Sequence, residues 1–554
     1  MIADFDKTDG FETVETDLCI VGAGIAGLTL AHALADSGMD ILILEGGGEA
    51  DEARSQDLYR IDTPGVPHDG AANGRFRVLG GSSTRWGGQL LPMQPLDFAA
   101  RGWVPGSGWP IPYDAVSRHF AEAHRIMHVP DPRFDGSPPD GYPTGALALD
   151  RERFRMRHSR WAPFGKRNLA LTLGPILAEK PNIRILVHAN AVALETGGAG
   201  RHVDAVRVRG YDGREARVCA RRVVLAGGTI ETARLLLDST DADPQGLGNG
   251  HDLVGRYFQD HLSLRAATLA PPARSGFRAA FEPVFRKGVM YSPKLELSEA
   301  AQRAHRSLYA MGHVVFETPE DSGLYEVRKI LQARQSKTAP IPSPEGMWRI
   351  LRDLPDVWRA GTANKLGGRV RMPRRAEPIL YIDTEQAPDP DSRVSLGRDT
   401  DALGMRKAVL DWRLGAAERD AARLYARLFA QAWREKGLGE VRFAESLFDD
   451  ARWLETGKDA YHQLGTTRMG RTPEEGVVDP DLRVHGVDNL WVASCAVFPT
   501  SGGSNPTLTM MALTLRLAEH LTAEAAAPAA GIRTGPAAAE ERSCHAPVTA
   551  SAVM

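Results

Sequence analysis

The sequence contains few cysteines and no long apolar run. Its 554 residues include only Cys19, Cys219, Cys495 and Cys544, which lie far apart and form neither a CxxC pair nor a Cys/His cluster. This spacing argues against a structural zinc, an iron–sulfur cluster, a c-type haem and a disulfide framework. We therefore predict no metal site. No apolar run is long enough to cross a bilayer, so no membrane span is predicted.

The chain also lacks a basic leader and an excess of one charge. It begins MIADFDKTDGFETVETD, which is acidic and contains neither a basic–apolar signal pattern nor a twin arginine. We therefore expect a cytoplasmic protein, with export alongside a partner that carries a signal as the alternative. The net charge of −3 gives no argument for binding nucleic acid. Hydrophobic content of 43% and charged content of 25% are typical of a soluble globular protein, and the length suggests two or three domains.

Short apolar strands alternate with helices in three parts of the sequence. The first part reads TDLCIVGAGIAGLTLAHALADSGMDILILEGGG, with strands predicted at Leu18–Val21 and Asp40–Leu44. The second reads RRVVLAGGTIETARLLLDS, and the third reads NLWVASCAVFPT and leads into a helix predicted at Pro506–Leu521. Strands that alternate with helices predict a parallel sheet of the α/β class.

The first strand–helix unit carries a dinucleotide-binding pattern. Gly22, Gly24 and Gly27 form GxGxxG between a strand and a helix, and Glu45 ends the next strand. Such glycines permit a tight turn, a close approach of backbone to a pyrophosphate and close helix–sheet packing, while the helix N-terminus attracts the phosphates. Glu45 is placed to accept hydrogen bonds from the ribose hydroxyl groups. The pattern predicts one dinucleotide and does not distinguish FAD from NAD.

The middle and the end of the chain have a different character. Residues 263–454 contain strand-like pieces and a long polar helix, AAERDAARLYARLFAQAWREKGL, which predict a second domain inserted into the first. Within it, Val327–Arg375 is basic and helical in pattern; we interpret it as a solvated insertion, with a partner-docking or lid element as the alternative. The tail after Leu521 is rich in alanine and proline and is predicted to be disordered.

Three further stretches resemble the glucose–methanol–choline (GMC) family of FAD-dependent oxidoreductases. They are VLGGSSTRWGGQLLPM, LGNGHDLVGRYFQDH and the long segment YHQLGTTRMG…VVDPDLRVHGVDNLWVASCAVFPTSGGSNPTLTMMAL. The GGSSTRW and SNPTLT parts are similar to the pyranose-oxidase branch of that family. The resemblance covers most of the chain and is weakest between Pro271 and Ile379. It selects FAD as the dinucleotide.

The resemblance implies an α/β fold with a Rossmann-like FAD-binding domain and an inserted α+β substrate-binding domain that contains an antiparallel sheet. The expected FAD-binding domain comprises residues 13–95, 170–262 and 455–523. The substrate-binding domain and its insertions would comprise residues 96–169 and 263–454, followed by a disordered tail at 524–554. The family oxidises CH–OH groups, so the chain is expected to be an oxidase or dehydrogenase of this type.

Two residues carry the chemistry that the resemblance implies. The histidine of the family's HxxGT signature matches His462, and its partner matches Asn505. An imidazole titrates near working pH and can take the proton of an alcohol while the hydrogen on carbon passes to flavin N5. The amide of Asn505 can donate to the developing alkoxide. His251, His261 and His485 are interpreted as structural.

Asn505 has a second interpretation, because asparagine followed by proline is a favoured start for a helix. On that interpretation Asn505 caps the last helix and does not bind substrate. In both cases the helix N-terminus would face the flavin edge where negative charge develops, and it would stabilise that charge by about 0.3–1 kcal/mol.

The remaining contacts follow from matching the family's motifs. The residues expected to bind FAD are Gly22, Gly24, Ala26, Gly27, Glu45, Gly81, Ser82, Ser83, Trp86, Gly87, Val192, Gly227, Ser494, Asn505 and Thr507. Pyranose oxidases carry a flavin-linked histidine where this chain has Arg85, so non-covalent FAD is predicted. Glu385 and Gln386 lie in a predicted strand, where alternation would turn one of them towards the substrate.

The favoured substrate class is a sugar, a glycoside or a related polyol, with molecular oxygen or another compound as electron acceptor. The alternatives are a sterol or other hydrophobic or aryl alcohol oxidase, and a lyase of the same fold that cleaves hydroxynitriles without net redox change. A homo-oligomer and a complex with an electron-acceptor subunit both remain open as assemblies.

Overall fold

The computed structural model describes residues 1–130, 133, 136–142, 150–197, 200–271, 276–317, 319–335, 343–358, 372 and 376–526. Within these residues the β-strands are, in chain order, β1 (Ile2–Asp4), β2 (Thr13–Val21), β3 (Ile41–Leu44), β4 (Gln89–Leu90), β5 (Phe154–Trp161), β6 (Ile183–Val187), β7 (Asn190–Thr196), β8 (Val203–Arg209), β9 (Glu215–Leu225), β10 (Leu262–Ala270), β11 (Val284–Arg286), β12 (Val289–Leu297), β13 (Ala310–Glu317), β14 (Glu377–Thr384), β15 (Arg393–Thr400), β16 (Arg406–Asp411), β17 (Glu440–Phe443), β18 (Gly457–Asp459) and β19 (Leu490–Val492).

The α-helices of the same residues lie mostly in the connections between these strands. In chain order they are α1 (Ile25–Ala33), α2 (Ala53–Asp57), α3 (Asp69–Asn73), α4 (Pro95–Phe98), α5 (Asp114–Ser117), α6 (Phe120–Ile126), α7 (Leu169–Thr172), α8 (Gly174–Ala178), α9 (Thr229–Asp238), α10 (Phe277–Phe281), α11 (Glu299–His305), α12 (Gly323–Gln335), α13 (Pro344–Arg352), α14 (Ala416–Glu435) and α15 (Thr507–Ala526).

The first sheet is the dinucleotide-binding sheet. Its strands follow the order β1-β6-β3-β2-β9-β8-β7, and β19 also pairs with β9. The pairs that involve β1, β2, β3, β6 and β19 are parallel, whereas β7, β8 and β9 form an antiparallel extension. Helix α1, which follows the central strand β2, packs against α15. This is the Rossmann-like arrangement that the strand–helix alternation predicts.

The second sheet is antiparallel throughout its described pairs. Its strands follow the order β17-β10-β14-β13-β12-β5-β4, with β11 on β12 and β18 on β10. Helix α14 packs on β13 and β14 and buries one apolar face that includes Tyr425, Phe429 and Trp433. These residues recur every four positions, which is the spacing of one helix face. The predicted α+β part with an antiparallel sheet is therefore confirmed.

The glycine pattern builds the turn between β2 and α1. Gly22 has φ +108°, a conformation that L side chains rarely adopt, and a Cβ there would lie 2.7 Å from the carbonyl oxygen of Ala226. At Gly27 a Cβ would lie 2.0 Å from the carbonyl oxygen of Gly22. Both positions therefore exclude side chains, and the helix starts tightly against the end of the strand.

Several element boundaries differ from the sequence-based expectations. Residues Ile2–Asp4, which carried no predicted structure, form β1 and pair in parallel with β6. Helix α15 continues to Ala526, beyond the predicted end at Leu521. The short strands β4 and β18 belong to the second sheet, although they fall inside the ranges predicted for the FAD-binding domain. The predicted domain limits otherwise stay a prediction.

Parts of two predicted segments lie outside the described residues. In the basic segment Val327–Arg375 the structure describes 327–335, 343–358 and 372, and the predicted tail is described only to residue 526. Among the described helices, none combines the length and the apolar character needed to cross a membrane.

Candidate active site

A cavity of about 680 Å³ lies at the carboxyl ends of the parallel strands. Its lining includes Val21, Leu44 and Leu225, which are the last residues of β2, β3 and β9. Strand β2 lies in the middle of the sheet, with β3 on one side and β9 on the other. This crevice is where open α/β sheets place their ligands.

Three helices begin at the wall of this cavity. Gly24 precedes α1, Thr229 is the first residue of α9 and Thr507 is the first residue of α15, and all three line the cavity. The first N–H groups of a helix have no partner within the helix and form its positive end. The cavity is therefore suited to a ligand with anionic groups at more than one point.

Most of the residues predicted to bind FAD line this one cavity. They are Gly22, Gly24, Ala26, Glu45, Gly81, Ser82, Trp86, Gly87, Gly227, Ser494, Asn505 and Thr507. Three others do not line it. Gly27 lies in α1 on the side that packs against β2. Val192 is buried in β7 next to the lining residue Ala191, and Ser83 is buried behind the loop that follows residue 80.

Glu45 lies at the end of β3, and both of its carboxylate oxygens accept backbone hydrogen bonds. The N–H of Ala23 donates to Oε2 and the N–H of Gly47 donates to Oε1, each at 2.9 Å. Burial raises the pKa of the Glu45 carboxyl above its ordinary value, and the two backbone donors oppose that change. Each oxygen keeps a further lone pair, so the carboxylate can still accept hydrogen bonds from the hydroxyl groups of a ligand.

The loop after residue 80 is held by its own side chains. Ser83 Oγ donates to the carbonyl of Gly80 at 2.6 Å and accepts from the N–H of Leu169 at 3.1 Å. Trp86 Nε1 donates to the carbonyl of Arg167. Ser83 thus positions the loop from behind, whereas Ser82 and Trp86 face the cavity. Arg85 also lines the cavity, and its guanidinium pairs with Asp51.

The geometry around Gly24 fits an FAD pyrophosphate. A Cβ built on Gly24 would meet no atom within 4 Å, although the neighbouring glycines of the motif are closely surrounded. The backbone is therefore open on the cavity side, at the start of α1. A dinucleotide phosphate can approach such a backbone closely, and the helix N-terminus stabilises its charge.

His462 and Asn505 contact one another at the cavity wall. His462 follows β18 and Asn505 precedes α15; the amide nitrogen Nδ2 of Asn505 lies 3.1 Å from Nε2 of His462. Asn505 Oδ1 is buried and has no hydrogen-bond partner among the described residues. An N-cap side chain would accept an N–H of the first turn with this oxygen. In this structure Asn505 therefore faces His462 and does not cap the helix.

His261, which the sequence analysis interpreted as structural, lies beside His462. Its Nδ1 is 3.0 Å from Nδ1 of His462, and its Nε2 is 2.8 Å from the carbonyl oxygen of Gly502. A carbonyl only accepts, so His261 carries its proton on Nε2 and accepts on Nδ1. His462 must then carry its proton on Nδ1. This assigns the lone pair of His462 to Nε2, the nitrogen beside Asn505.

The register of the second sheet explains why these histidines meet. Strands β10 and β18 pair with Leu262 opposite Asp459, and the N–H of Ala460 donates to the carbonyl of His261. The residues just before β10 are thereby placed beside those just after β18. The only sequence signal was the Asp260–His261 pair directly before a strand.

Asp260 fixes the backbone of His462. Both oxygens of the carboxylate accept the N–H of His462 at 2.9 Å, and His68 Nε2 lies 3.1 Å from Oδ2. Burial alone would raise the pKa of Asp260, but the hydrogen bond from His68 and the nearby histidine charges hold it below its ordinary value. Tyr461 has φ +61°, a strained conformation for a non-glycine residue, and it directs the chain into this contact.

Burial, and to a smaller extent the neighbouring imidazole of His261, lower the pKa of His462 to about 4. The imidazole is therefore neutral at neutral pH, and the lone pair on Nε2 faces the amide group of Asn505. A group of this kind can accept a proton from a hydroxyl at the cavity wall.

The structure does not bring Glu385 and Gln386 to the cavity, contrary to their predicted contact with substrate. Both follow the end of β14 and are fully buried. Glu385 forms a two-pronged ion pair with Arg101, with 2.6 Å between Nη1 and Oε2. Gln386 Oε1 accepts the N–H of Asp260 and the indole N–H of Trp412. The polar groups of both residues bind partners within the core. The alternation of side chains along the strand therefore did not indicate which surface these residues face.

The Glu385→Gln variant is expected to lower the midpoint of thermal unfolding by several degrees. The change leaves the buried Arg101 without its counter-charge, which typically costs about 3–5 kcal/mol. Calorimetry measures the shift. Glu345→Gln, at an exposed ion pair with Arg349, is the matched control and should move the midpoint little. An altered KM at unchanged stability would contradict the structural role of Glu385.

Two arginines that the sequence interpretation missed also line the cavity. Arg75 Nη1 donates to Glu231 Oε1 at 2.7 Å, and Arg77 Nη2 donates to Asn190 Oδ1 at 2.9 Å. Since Glu231 lies in α9, these contacts tie the segment before the GGSSTRW loop to the second strand–helix unit. Of residues 263–454, the described lining contains Met405 alone.

Comparisons with known proteins agree with this geometry. Residues 388–514 match the family model described as GMC oxidoreductase, and residues 20–74 match an NAD(P)-binding Rossmann-like domain. The chain is 26% identical to the fructose dehydrogenase large subunit of Gluconobacter japonicus, over 92% of this chain and 98% of that protein. It is 27% identical to the 6'''-hydroxyparomomycin C oxidase of Streptomyces lividus, over 92% and 93%.

A solved structure shows the same fold. The pyridoxine 4-oxidase from Mesorbium loti superposes with a TM-score of 0.54 at 20% identity, over 91% of this chain and 98% of that one. The fold, the dinucleotide cavity and the matched family model lead to one conclusion. The chain carries a GMC oxidoreductase C-terminal domain at residues 388–514 and a Rossmann-like dinucleotide-binding segment at residues 20–74, and it is an FAD-binding oxidoreductase that acts on CH–OH groups.

Proposed function

We propose that the protein oxidises a hydroxyl group of a sugar, a glycoside or a related polyol, with His462 as the base. The observation that carries the proposal is the chain of hydrogen bonds from Asn505 through His462 to His261. This chain leaves the lone pair of His462 on Nε2, at the cavity wall. Bound FAD supplies the acceptor for the hydrogen that leaves the carbinol carbon.

His462 takes the hydroxyl proton on Nε2. Its Nδ1–H remains bonded to His261, so the ring keeps its orientation while its charge changes. The N–H bonds to Asp260 hold the main chain in place during this step. A positioned base of this type typically contributes about 10²–10⁴-fold to the rate.

Asn505 orients the substrate oxygen. Its Nδ2–H group can donate to the oxygen as negative charge develops there.

The surroundings of the pair support the same substrate class. Gln89, Tyr461 and Gln463 line the cavity together with His462 and Asn505, which provides polar contacts near the reacting position. Sites that bind polyols need such convergent polar groups, whereas a sterol site would be lined mainly by apolar side chains. One similar protein is named for fructose.

The experiment that tests this proposal is an anaerobic screen by flavin absorbance. Sugars, glycosides, sterols and aryl alcohols are added to the FAD-loaded protein, and air is admitted afterwards. Loss of the oxidised-flavin band with sugars or glycosides supports the proposal. Loss with sterols or aryl alcohols alone contradicts the substrate class, and turnover without any bleaching contradicts the oxidation.

The pH profile of kcat/KM should reflect the lowered pKa of His462. A histidine with a pKa of about 4 loses its lone pair as the pH falls through that value. We therefore expect a rate that is level from mildly acidic to neutral pH and declines about tenfold per unit below pH 4. Rapid mixing into acidic buffer measures the rate before the protein unfolds.

His261 is expected to position the His462 ring and so to affect the pH profile. The His261→Leu variant removes the acceptor of the His462 Nδ1–H and the neighbouring imidazole that lowers the pKa of His462, so its acidic limb should move to higher pH and its rate should fall about tenfold or more. His261→Asn keeps an acceptor and should recover part of the rate. A Leu variant with an unchanged profile would contradict the positioning role.

A further inference from the structure

One face of the second sheet is polar, although most of its residues are buried. Successive side chains of a strand point to opposite faces. The apolar face, which includes Leu295, packs on α14, where the hydroxyl of Tyr425 donates to the carbonyl of Leu295 at 2.9 Å. The opposite face points away from α14, and we call it the polar sheet face. It is formed by Gln89 of β4, Arg157, Ser159 and Trp161 of β5, Ser292, Lys294 and Glu296 of β12, His313 of β13 and Asp383 of β14.

The polar sheet face reaches the active site at two places. Gln89 and Trp161 line the cavity. Further along β5, Arg157 Nη2 donates to the carbonyl of Pro92 at 2.6 Å, and the hydroxyl of Ser504 donates to the same carbonyl at 2.9 Å. Ser504 directly precedes the asparagine of the reacting pair. This part of the polar sheet face therefore lies beside that pair.

Lys294 is the one residue of interest on this face whose charged group lacks a close partner. It lies next to Arg157, since the two residues are opposite each other in the pair of β5 and β12. Arg157 has a counter-charge, because its Nη1 lies 3.0 Å from Glu296 Oε1. Lys294 is only 6% exposed, and its side chain forms no hydrogen bond or ion pair with the residues that the structure describes.

Burial lowers the pKa of Lys294, and the charges of Asp383 and Glu296 oppose that change. A buried amine with unused donors is unfavourable, whether or not it carries a charge. The surroundings of Lys294 are therefore suited to a ligand that brings acceptor oxygens.

Lys294 and Asp383 are both close to the proposed base. Burial and the imidazole of His261 are the main causes of the low pKa of His462; in addition, the charge of Asp383 raises this pKa and that of Lys294 lowers it. Charges act in this way at short range. Asp383 Oδ2 lies 3.0 Å from Nδ1 of His313, which holds the carboxylate in place. A substrate bound at His462 can therefore extend along the polar sheet face to Lys294.

We propose that Lys294 binds the substrate and helps to select it, by donating a hydrogen bond to a hydroxyl oxygen other than the one that is oxidised. This inference rests on the proposed function, the oxidation of a polyol with His462 as the base. A sugar carries several hydroxyl oxygens at different distances from the reacting carbon, so one can meet Lys294 while another meets Asn505 and His462. Lys294 takes no part in the transfer of the proton or the hydride.

The experiment is anaerobic reduction of the flavin in the full-length, FAD-loaded Lys294→Met variant, with the sugar or glycoside that bleaches the wild-type flavin fastest. The concentration that gives the half-maximal rate should rise at least about tenfold, because a hydrogen bond from a charged group is lost. The limiting rate should change less than about threefold, since Lys294 does not act on the reacting carbon. One monodeoxy analogue of the sugar, which lacks the bound hydroxyl, should bind the wild type more weakly by a similar factor and lose nothing further in the variant.

The outcomes separate this inference from the proposed function. A sugar that bleaches both proteins with the same half-maximal concentration would overturn the assignment of Lys294 alone. A lower limiting rate at an unchanged half-maximal concentration would also overturn it, since Lys294 would then act only through its charge on His462. If no sugar or glycoside bleaches the flavin, the proposed function fails and this inference fails with it.

Two further variants control for structure. Lys294→Gln keeps a donor and should recover part of the affinity for the sugar. Lys287→Met changes an exposed lysine in the turn before β12 and should behave like the wild type. Lys294→Met should keep its FAD content and its midpoint of thermal unfolding, because it replaces an unpaired buried amine with an apolar side chain of similar length. A loss of either would give Lys294 a structural role and overturn the proposal.

Discussion

Replacement of His462 with alanine is expected to slow the reduction of bound flavin by the alcohol substrate about 10²–10⁴-fold. The hydrogen-bond order places the lone pair of His462 on Nε2, beside Asn505, and alanine leaves no group there to take the hydroxyl proton. The loss corresponds to about 2.7–5.5 kcal/mol of activation free energy. Anaerobic stopped-flow measurement of flavin bleaching gives the rate directly.

The controls separate chemistry from structure. The main-chain N–H of residue 462 still donates to Asp260, so the variant should keep its FAD. His251→Ala removes a histidine that lies outside the cavity lining and should react like the wild type. A His462→Ala protein with full FAD content and the wild-type rate would disprove the base assignment. A variant that loses FAD would instead give the imidazole a structural role.

Replacement of Gly24 with valine is expected to weaken FAD binding at least about 100-fold while the apoprotein keeps its stability. Gly24 has φ −79° and ψ −163°, an extended conformation that valine also adopts, and a Cβ there meets no neighbouring atom. The added side chain would fill the space through which a phosphate approaches the start of α1. Titration of the apoprotein with FAD measures the affinity, and thermal unfolding measures the stability.

Gly27→Ala is the matched comparison within the same motif. Its Cβ would lie 2.0 Å from the carbonyl oxygen of Gly22, so backbone must move and the fold should lose about 1–3 kcal/mol or more. Gly24→Val is thus expected to lose FAD affinity, whereas Gly27→Ala is expected to lose stability. Normal FAD affinity in Gly24→Val, or equal unfolding of both variants, would contradict the assignment of Gly24 to the pyrophosphate.

The dinucleotide-binding half could be predicted from the sequence because its signals are local. Strand β2, the glycine turn, α1 and β3 follow one another directly, and the requirements on Gly22 and Gly27 arise within that unit. Glu45 could be placed because it ends the next strand. Each of these inferences depends on periodicity and turn chemistry over short distances, which a single sequence displays.

The substrate side could not be predicted in the same way. Glu385 is neutralised by Arg101, which is 284 residues away, and no local pattern indicates that such a partner exists. Alternation along a strand separates two faces but does not tell which face is covered by another part of the chain.

The sequence alone indicated the FAD-binding turn and the parallel strands, since these rest on neighbouring residues, whereas the two proposed reactive positions and the antiparallel sheet came from the resemblance to a family. Only the tertiary structure decided which groups surround His462. The antiparallel register of β10 and β18 places His261 and Asp260 against it, and burial in that contact lowers its pKa to about 4. Long-range pairing and desolvation are properties of the packed chain, and residue order in a single sequence does not reveal them.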